Sequence, residues 1–262
     1  MPITPLHPVP RISQDEFKEL SYAVMAKVFE VHNEFGRFFD ERIYKHELAH
    51  RLPGLELELP IAIAHGTFST KYFLDGLIGG GAFEFKTAET LTNRHRGQLY
   101  NYLLMLDLAH AKLVNLRPES VEHEFVNATL RPADRHSFEV ITHRWNRSLA
   151  RSDFFLGSLH NVLDDWGTGL DLNLYDAAMT HFLGGDAAVI REVAVRSGER
   201  IVGLQKMRLV EDDVAFRLTA FESDNERFED HARRILQHTD LRAILWVNIG
   251  LRRVTFTTLQ RS

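Results

Sequence analysis

Two acidic residues and a lysine are spaced in the first half of the sequence so that their side chains can meet. Asp75 lies near the end of one predicted strand, and Glu84 and Lys86 lie in the next. Because side chains alternate along a strand, Glu84 and Lys86 share a face. Hairpin pairing of the two strands would bring Asp75 beside Glu84. The spacing predicts two carboxylates and one ammonium group at a single position.

Further side chains can join this group from two predicted helices. Glu41 precedes the strands on one helix, and Gln98 and Tyr102 share a face of another because they are four residues apart. Three carboxylates are a ligand set suited to Mg²⁺ or Mn²⁺. A lysine beside them can hold a phosphate oxygen or an attacking water, so the pattern indicates metal-assisted phosphodiester hydrolysis.

The elements that must position these residues follow from the apolar periodicity. A Ser cap and acidic residues open a first helical pattern, a Pro-Gly pair stops a second, and the period then changes to two. The prediction is an α/β fold with a mixed sheet flanked by helices. Its elements are helices at about 13–36 and 39–52, strands at 55–63, 68–77 and 82–87, a helix at 92–106 and a strand at 111–116.

The second half of the chain repeats the pattern of the first. Gly36 and Tyr44 are separated by eight residues, as are Gly167 and Tyr175. A polar stretch at 131–137 is the predicted linker. We therefore predict a tandem duplication, with a nuclease-like domain at 1–130 and a degenerate repeat at 131–262, packed as an internal pseudo-dimer.

The metal site is predicted to be missing from the second half. The alignment of the two halves replaces all four charged positions by apolar residues, so the second copy is expected to be inactive. The replacements are Leu172 for Glu41, Met207 for Asp75, Phe216 for Glu84 and Leu218 for Lys86, with Asp230 and Arg234 near the positions of Gln98 and Tyr102.

The series of Asp75, Glu84-x-Lys86 and Gln98-x-x-x-Tyr102 resembles the PD-(D/E)XK nuclease superfamily, in its RecB-like branch. With Glu41-x-x-Tyr44, the stretch from about 17 to 116 is similar to the GxxExxY protein family. The resemblance implies a restriction-endonuclease-type fold and a DNA substrate. It also implies metal binding by Glu41, Asp75 and Glu84, catalysis by Asp75, Glu84, Lys86, Gln98 and Tyr102, and substrate contacts by Arg94 and His95.

Two other functions are open from the residues. His46-Glu47-x-x-His50 matches the H-E-x-x-H motif of zinc proteases, with Glu56, Glu58 or His65 available as a third ligand. The helical wheel places the two histidines about 140° and 180° from Glu41, which favours surface positions for them. Alternatively, the nuclease-like half is a binding or regulatory module without turnover.

The composition restricts the class of protein further. The 262 residues contain no cysteine, which excludes disulfides, thiolate catalysis and Cys-based metal sites and fits a reducing compartment. With no apolar run long enough for a signal or membrane segment, a cytoplasmic protein without membrane contact is expected. The formal charge is -4 for residues 1–130 and -1 for the rest. Neither half is basic, so weak duplex binding, a short or structured substrate, or a protein partner is expected. Oligomerisation beyond the pseudo-dimer is open.

Overall fold

The protein is described by a computed structural model that covers residues 2–223 and 225–261. The chain folds as two compact units, one ending at Pro132 and the other beginning at Ala133. Each unit has one six-stranded mixed sheet flanked by helices. The predicted α/β class with mixed sheets is confirmed.

The first unit contains the two predicted helices, the strands that follow them and a third helix. A capping box joins Ser13 and Glu16 at the start of the first helix. The elements are β1 (Ile3–Pro5), α1 (Gln14–Phe35), α2 (Glu41–Arg51), β2 (Glu56–His65), β3 (Phe68–Ile78), β4 (Gly81–Lys86), α3 (Asn93–Leu106), β5 (His110–Asn115) and β6 (Glu122–Asn127).

The six strands of the first sheet lie in chain order. β4 and β5 run parallel and are connected by α3, whereas the other neighbours run antiparallel. The edge strands β1 and β6 were not predicted. β1 has only three residues and carries a proline, and it is defined by its pairing with residues 61–63 of β2 rather than by periodicity.

The core of the first unit determines which face of β4 carries the chemistry. Phe83 and Phe85 are fully buried in an apolar cluster with residues of α1 and α2. The ring centroids of Phe17 in α1 and Phe83 are 5.9 Å apart. Since side chains alternate along the strand, Glu84 and Lys86 lie on the opposite face.

The second unit has the same succession of two helices, a three-stranded meander, a helix and two further strands. Its sheet order is β7-β12-β11-β10-β9-β8, and the extra strand pairs with β12. The elements are α4 (Pro132–Arg135), β7 (Glu139–Arg144), α5 (Ser152–Trp166), α6 (Leu172–Phe182), α7 (Asp186–Val189), β8 (Ile190–Ser197), β9 (Arg200–Glu211), β10 (Val214–Thr219), α8 (Asn225–His238), β11 (Ala243–Ile249) and β12 (Arg253–Gln260).

The boundary between the two units, after Pro132, lies within the predicted linker at 131–137, but this stretch is packed rather than extended in solvent. Arg135 is 4% exposed and its Nε donates to the carbonyl oxygen of Thr168 at 2.9 Å. Its guanidinium also donates to the carbonyl of Trp166. The polar side chain is therefore part of the packing of the second unit, because it satisfies carbonyl groups at the end of α5 and just after it.

The same tyrosine contact closes the helix pair in both units. The hydroxyl of Tyr44 donates to the carbonyl of Gly36 at 2.7 Å, and the hydroxyl of Tyr175 donates to that of Gly167 at 2.6 Å. Both glycines end a helix at positive φ, 71° and 72°, where a side chain would be strained. This contact explains the shared spacing of eight residues.

A second contact that both units share corrects the alignment of β4 in the first unit with β10 in the second. Asn115 forms two hydrogen bonds with the backbone of Ala88, and Asn248 forms the same two with Phe221. Asn115 is the ladder partner of Lys86, and Asn248 is that of Thr219.

The predicted equivalence of Phe216 and Leu218 with Glu84 and Lys86 is therefore wrong by one residue. Phe216 packs on Phe155 of α5, with ring centroids 5.1 Å apart, as Phe83 packs on α1. The positions that correspond to Glu84 and Lys86 are Arg217 and Thr219. A shift of one residue exchanges the faces of a strand, which a local alignment of short motifs does not detect.

The paired tyrosines provide a test of this shared turn. We expect Tyr44→Phe and Tyr175→Phe each to lower the free energy of unfolding by about 1–3 kcal/mol, because a backbone carbonyl loses its donor. The larger effect is expected for Tyr175, whose hydroxyl bonds are fully buried.

Urea denaturation measures both effects, and Tyr22→Phe is the control because Tyr22 is 83% exposed. A change within about 0.5 kcal/mol is expected for that control. Equal, negligible effects in all three variants would contradict a structural role for the hydroxyls.

Candidate active site

The candidate site begins where the ladder between β3 and β4 ends. The last paired residues are Gly76 and Phe83. Beyond them the backbone N–H of Phe85 donates to Oδ2 of Asp75 at 3.1 Å. This bond holds the Asp75 carboxylate, which is 7% exposed, against β4. The predicted meeting of Asp75 and Glu84 thus arises from an opening in the sheet.

Glu84 and Lys86 form the centre of the cluster. The Lys86 Nζ lies 2.6 Å from Oε1 of Glu84 and 3.7 Å from Oδ2 of Asp75. Glu84 has no exposed surface, and its Oε2 is buried without a hydrogen-bond partner. A buried carboxylate oxygen with no partner is costly to a fold and indicates a functional site.

Two further charged residues join the cluster that the sequence analysis did not assign to the nuclease site. The Nζ of Lys45 in α2 lies 3.1 Å from Oδ1 of Asp75 and 3.6 Å from Oε1 of Glu41, and it also contacts Glu58 of β2. The position of Lys45, four residues after Glu41 on one helix face, was a usable signal. We call the six residues Glu41, Lys45, Glu58, Asp75, Glu84 and Lys86 the acidic cluster.

Glu58 has an unusual backbone conformation. Its φ is +52° within a strand, where a residue with a side chain is rarely found. Such conformations cost about 1–3 kcal/mol and collect at functional sites. The sequence gives no sign of it, since nothing but the pairing geometry distinguishes Glu58 from Glu56.

Burial dominates the electrostatics of Glu84. It raises the pKa of this carboxyl to about 7, the charge of Asp75 adds to the rise, and Lys86 opposes it. For Lys86, burial lowers the pKa, but the carboxylates of Glu84, Asp75 and Glu41 outweigh this effect and raise it. At neutral pH the lysine is charged, whereas Glu84 is close to its midpoint.

The pKa of Glu41 is also raised, first by burial and then by Asp75, against the lowering effects of Lys86 and Lys45. Burial lowers the pKa of Lys45, yet its bond to Glu58 and the charge of Asp75 raise it overall. Four carboxyl groups face two ammonium groups, so the acidic cluster has a net charge of -2 when all six are ionised. A divalent cation matches that excess.

Gln98 and Tyr102 lie beside the acidic cluster as the helix spacing predicts. The Nε2 of Gln98 donates to the Tyr102 hydroxyl at 3.3 Å. Burial raises the pKa of that hydroxyl, Gln98 opposes the rise, and the charges of Glu84 and Asp75 contribute to it. Gln98 is exposed, so its amide is accessible to a substrate.

Arg94 and His95 begin the same helix. Nδ1 of His95 accepts a hydrogen bond from the backbone N–H of Thr92 at 3.2 Å, which caps α3. Burial lowers the pKa of His95, and the charge of Lys86 lowers it further. Arg94 is exposed. His95 therefore has a structural contact, and a substrate contact remains a prediction for both residues.

The H-E-x-x-H residues do not come together as a zinc site. His46 and His50 are exposed, and Glu47 accepts a hydrogen bond from Nε of Arg51 at 2.6 Å. Of the possible third ligands, Glu58 contacts Lys45 and Glu56 contacts His7. The surface positions predicted from the helical wheel are those observed.

The donor set of the acidic cluster fits a hard cation, although its present arrangement is not a finished metal site. Across residues 2–223 and 225–261, no three His, Cys, Asp or Glu side chains are placed around one metal position. Lys45 and Lys86 lie between the carboxylates instead. The free Oε2 of Glu84 and the oxygen ligands of Asp75 and Glu41 suit Mg²⁺ or Mn²⁺.

Comparison with known proteins places part of the chain in a known superfamily. Residues 18–127 match the family model of the PD-(D/E)XK nuclease superfamily. The predicted resemblance to that superfamily is confirmed for this stretch, which includes every residue of the acidic cluster. Proteins of the superfamily are generally nucleases, and they typically use divalent metals. Searches of curated proteins and of solved structures found no match.

No helix in the described part of the chain combines the length and apolar character needed to cross a bilayer.

Proposed function

We propose that residues 1–130 form a Mg²⁺- or Mn²⁺-dependent deoxyribonuclease domain of the GxxExxY type, in the RecB-like branch of its superfamily. Residues 131–262 are proposed to be a degenerate, inactive copy that serves as its pseudo-dimer partner. The observation that carries the proposal is the buried Glu84 carboxyl, which lies against Lys86 and Asp75 within the stretch that matches the superfamily.

Glu41, Asp75 and Glu84 would hold the cation. When bound, Mg²⁺ or Mn²⁺ polarises the phosphoryl group, promotes ionisation of water and offsets charge on the leaving oxygen. In the hydrolysis a water oxygen forms a bond to phosphorus while the bond to the leaving sugar oxygen breaks, and one phosphomonoester and one hydroxyl group result.

The side chains would share the remaining tasks. Lys86 keeps a proton at Nζ and donates a hydrogen bond to a phosphate oxygen or to the attacking water. Tyr102 and Gln98 hold a second phosphate oxygen, because a hydroxyl and an exposed amide on one helix face are both donors. Arg94, exposed in the first turn of α3, would contact the next phosphate.

Cleavage assays test the proposal. The full chain is incubated with supercoiled plasmid, linear duplex and single-stranded DNA in Mg²⁺, in Mn²⁺ and in EDTA. We expect cleavage of at least one substrate with either metal and none in EDTA. Metal binding by calorimetry without cleavage of any substrate would contradict the proposal and favour a binding module.

That second candidate function, a nuclease-like module without turnover, is favoured by one observation. Lys45 already pairs with Glu58 and Asp75 and offsets one of their two charges without a metal. If no divalent ion binds and substitution of Glu84 changes no activity, the site is vestigial.

Lys45 allows a prediction that does not depend on turnover. We expect Lys45→Met to lower the Kd for Mn²⁺ about tenfold, since it removes a cation that competes for the carboxylates of Asp75 and Glu41. Isothermal titration calorimetry measures the constant.

The control is Lys27→Met, which removes a lysine paired with Glu30 on the surface of α1. Weaker metal binding by the Lys45 variant alone would show that Lys45 positions the carboxylates rather than competing for them.

A further inference from the structure

The second unit has a pocket at the place where the first unit has its acidic cluster. It lies between α8 and the strands β8, β9 and β10, and has a volume of about 700 Å³. This is within the range of ligand-binding pockets, roughly 300–1,000 Å³. Basic and apolar side chains line it, and its lining in the described part of the chain includes no Asp or Glu.

The charges at this place are inverted relative to the first unit. Asp176 follows Tyr175 as Lys45 follows Tyr44. By the asparagine register, Arg217 stands at the position of Glu84. Leu172 opens α6 as Glu41 opens α2. Among the described residues, the lining offers no carboxylate to a divalent cation, and the reversal of sign favours an anion.

Several of the basic groups have no ion pair with a described residue. Lys206, Arg217 and Arg234 line the pocket, are exposed and form no salt bridge with any residue that the structure describes. Nε of Arg208 is buried without a hydrogen-bond acceptor. A buried donor without an acceptor lowers the stability of the fold. A ligand whose oxygen atoms accept a hydrogen bond from it would therefore bind favourably.

The carboxylate of Asp176 lies near these groups. The Oδ2 atom of Asp176 lies 3.5 Å from Nη1 of Arg208. Burial raises the pKa of Asp176 overall, and the charges of Arg208 and Arg217 oppose that rise. Four basic side chains and no carboxylate are among the described residues that line the pocket, so its lining keeps a positive charge beside Asp176.

The apolar wall indicates what kind of anion fits. Phe228, Ile235 and Met207 line the pocket beside the basic groups. Single-stranded nucleic acid presents phosphates and unstacked bases together, and proteins bind it with basic grooves and apolar or aromatic surfaces. A duplex offers phosphates but keeps its bases stacked inside.

We propose that this pocket binds a single-stranded segment of nucleic acid, with phosphates on Arg217, Arg234 and Lys206 and a base against Phe228. The inference rests on the proposed function, since it names the strand state of the substrate that the first unit would cleave. The degenerate copy would then be a substrate-binding domain.

Fluorescence anisotropy with labelled oligothymidine and the full chain in EDTA tests the proposal, because no cleavage occurs without metal. We expect Arg217→Gln/Arg234→Gln to raise the Kd about a hundredfold, since removal of each charged hydrogen bond costs about tenfold. The slope of log K against log[salt] should fall in magnitude by about 0.7 for each phosphate that is no longer neutralised.

The matched control is Arg233→Gln/Arg253→Gln, which removes the same charge. Arg233 is adjacent to Arg234 in α8 but pairs with Glu229, and Arg253 pairs with Glu139; neither lines the pocket. Thermal melting of both double variants verifies that they are folded. Unchanged oligothymidine binding by the pocket variant, or an equal loss in the control, would overturn the proposal.

Light scattering measures the oligomeric state and so tests whether a second copy of the chain occupies the pocket instead. A dimer that the pocket variant converts to a monomer, without an effect on oligothymidine binding, would overturn the proposal in favour of self-association.

The cleavage assay separates this inference from the proposed function. A chain that cleaves DNA yet binds oligothymidine independently of Arg217 refutes the pocket alone, whereas selective binding without any cleavage refutes the nuclease alone.

Discussion

Replacement of Lys86 by alanine is expected to lower the rate of DNA cleavage by about 10²–10⁴-fold, the range that a positioned proton donor or charge contributes. The reason is geometric, because the Lys86 Nζ is 2.6 Å from Glu84 and reaches Asp75 at 3.7 Å. No other lysine contacts Glu84 in the part of the chain that the structure describes. The measurement is single-turnover cleavage in Mg²⁺ and in Mn²⁺.

The loss should fall on the chemical step rather than on folding or binding. Without the ammonium group, Glu84 takes up a proton, so a buried carboxylate is not left unpaired. We therefore expect a small change in the melting temperature and a loss of cleavage rate that is much larger than any rise in the Kd for DNA. Lys71→Ala is the control, since Lys71 is exposed in β3 and has no ion pair with a described residue. Full activity of the Lys86 variant would place the nuclease activity elsewhere.

The sequence was most informative where local periodicity decides the structure. The alternation of side chains in β4 predicted that Glu84 and Lys86 share a face of the strand. The i, i+4 spacing predicted that Gln98 and Tyr102 share a face of the helix. These relations need only the geometry of one strand or one helix. The match to the superfamily covers the same residues.

Sequence reasoning failed where contacts between elements decide the structure. The position of Lys45 among three carboxylates depends on how α2 packs against the sheet, and the positive φ of Glu58 depends on the pairing of β2. The alignment of β10 failed for a related reason. Its side chains face α8 or α5 according to the register with β11, which Asn248 fixes from a distance in the sequence.

The metal that we propose for the acidic cluster would change the protonation of its carboxyl groups. Without metal, Lys45 and Lys86 neutralise part of the carboxylates and Glu84 is partly protonated. Binding of a divalent ion requires the ionised carboxyl, so the binding releases a proton below about pH 7. Metal affinity should therefore increase with pH through this range.

Glu84→Gln is expected to abolish cleavage and, without metal, to stabilise the first unit at high pH. The pKa of Glu84 is about 7 in the folded protein and 4.5 in the unfolded reference state. Below pH 4.5 the carboxyl is protonated in both states and costs nothing. As the pH rises toward 7, the unfolded chain loses its proton first, so the free energy of unfolding falls. The full difference is on the order of 3 kcal/mol.

Glutamine keeps the shape of the protonated carboxyl and does not titrate. In EDTA the variant should equal the wild type at pH 4.5 and exceed it at pH 8 by up to that amount. All three tryptophans, Trp145, Trp166 and Trp246, lie in the second unit. Tryptophan fluorescence would therefore miss the effect, and hydrogen exchange of β4 amides in urea is the appropriate measurement.

The control for this experiment is Glu30→Gln, which removes a carboxylate that is half exposed on α1 and paired with Lys27. Its effect should be small and nearly independent of pH, because solvent screens the pair. A pH-independent difference for Glu84→Gln would mean that Lys86 stabilises the ionised carboxyl fully. In that case the protein would keep Glu84 charged at no cost, and no functional reason would be needed to retain it. If the variant has a higher free energy of unfolding only at high pH and has lost cleavage, Glu84 is retained for catalysis although it lowers the stability of the fold.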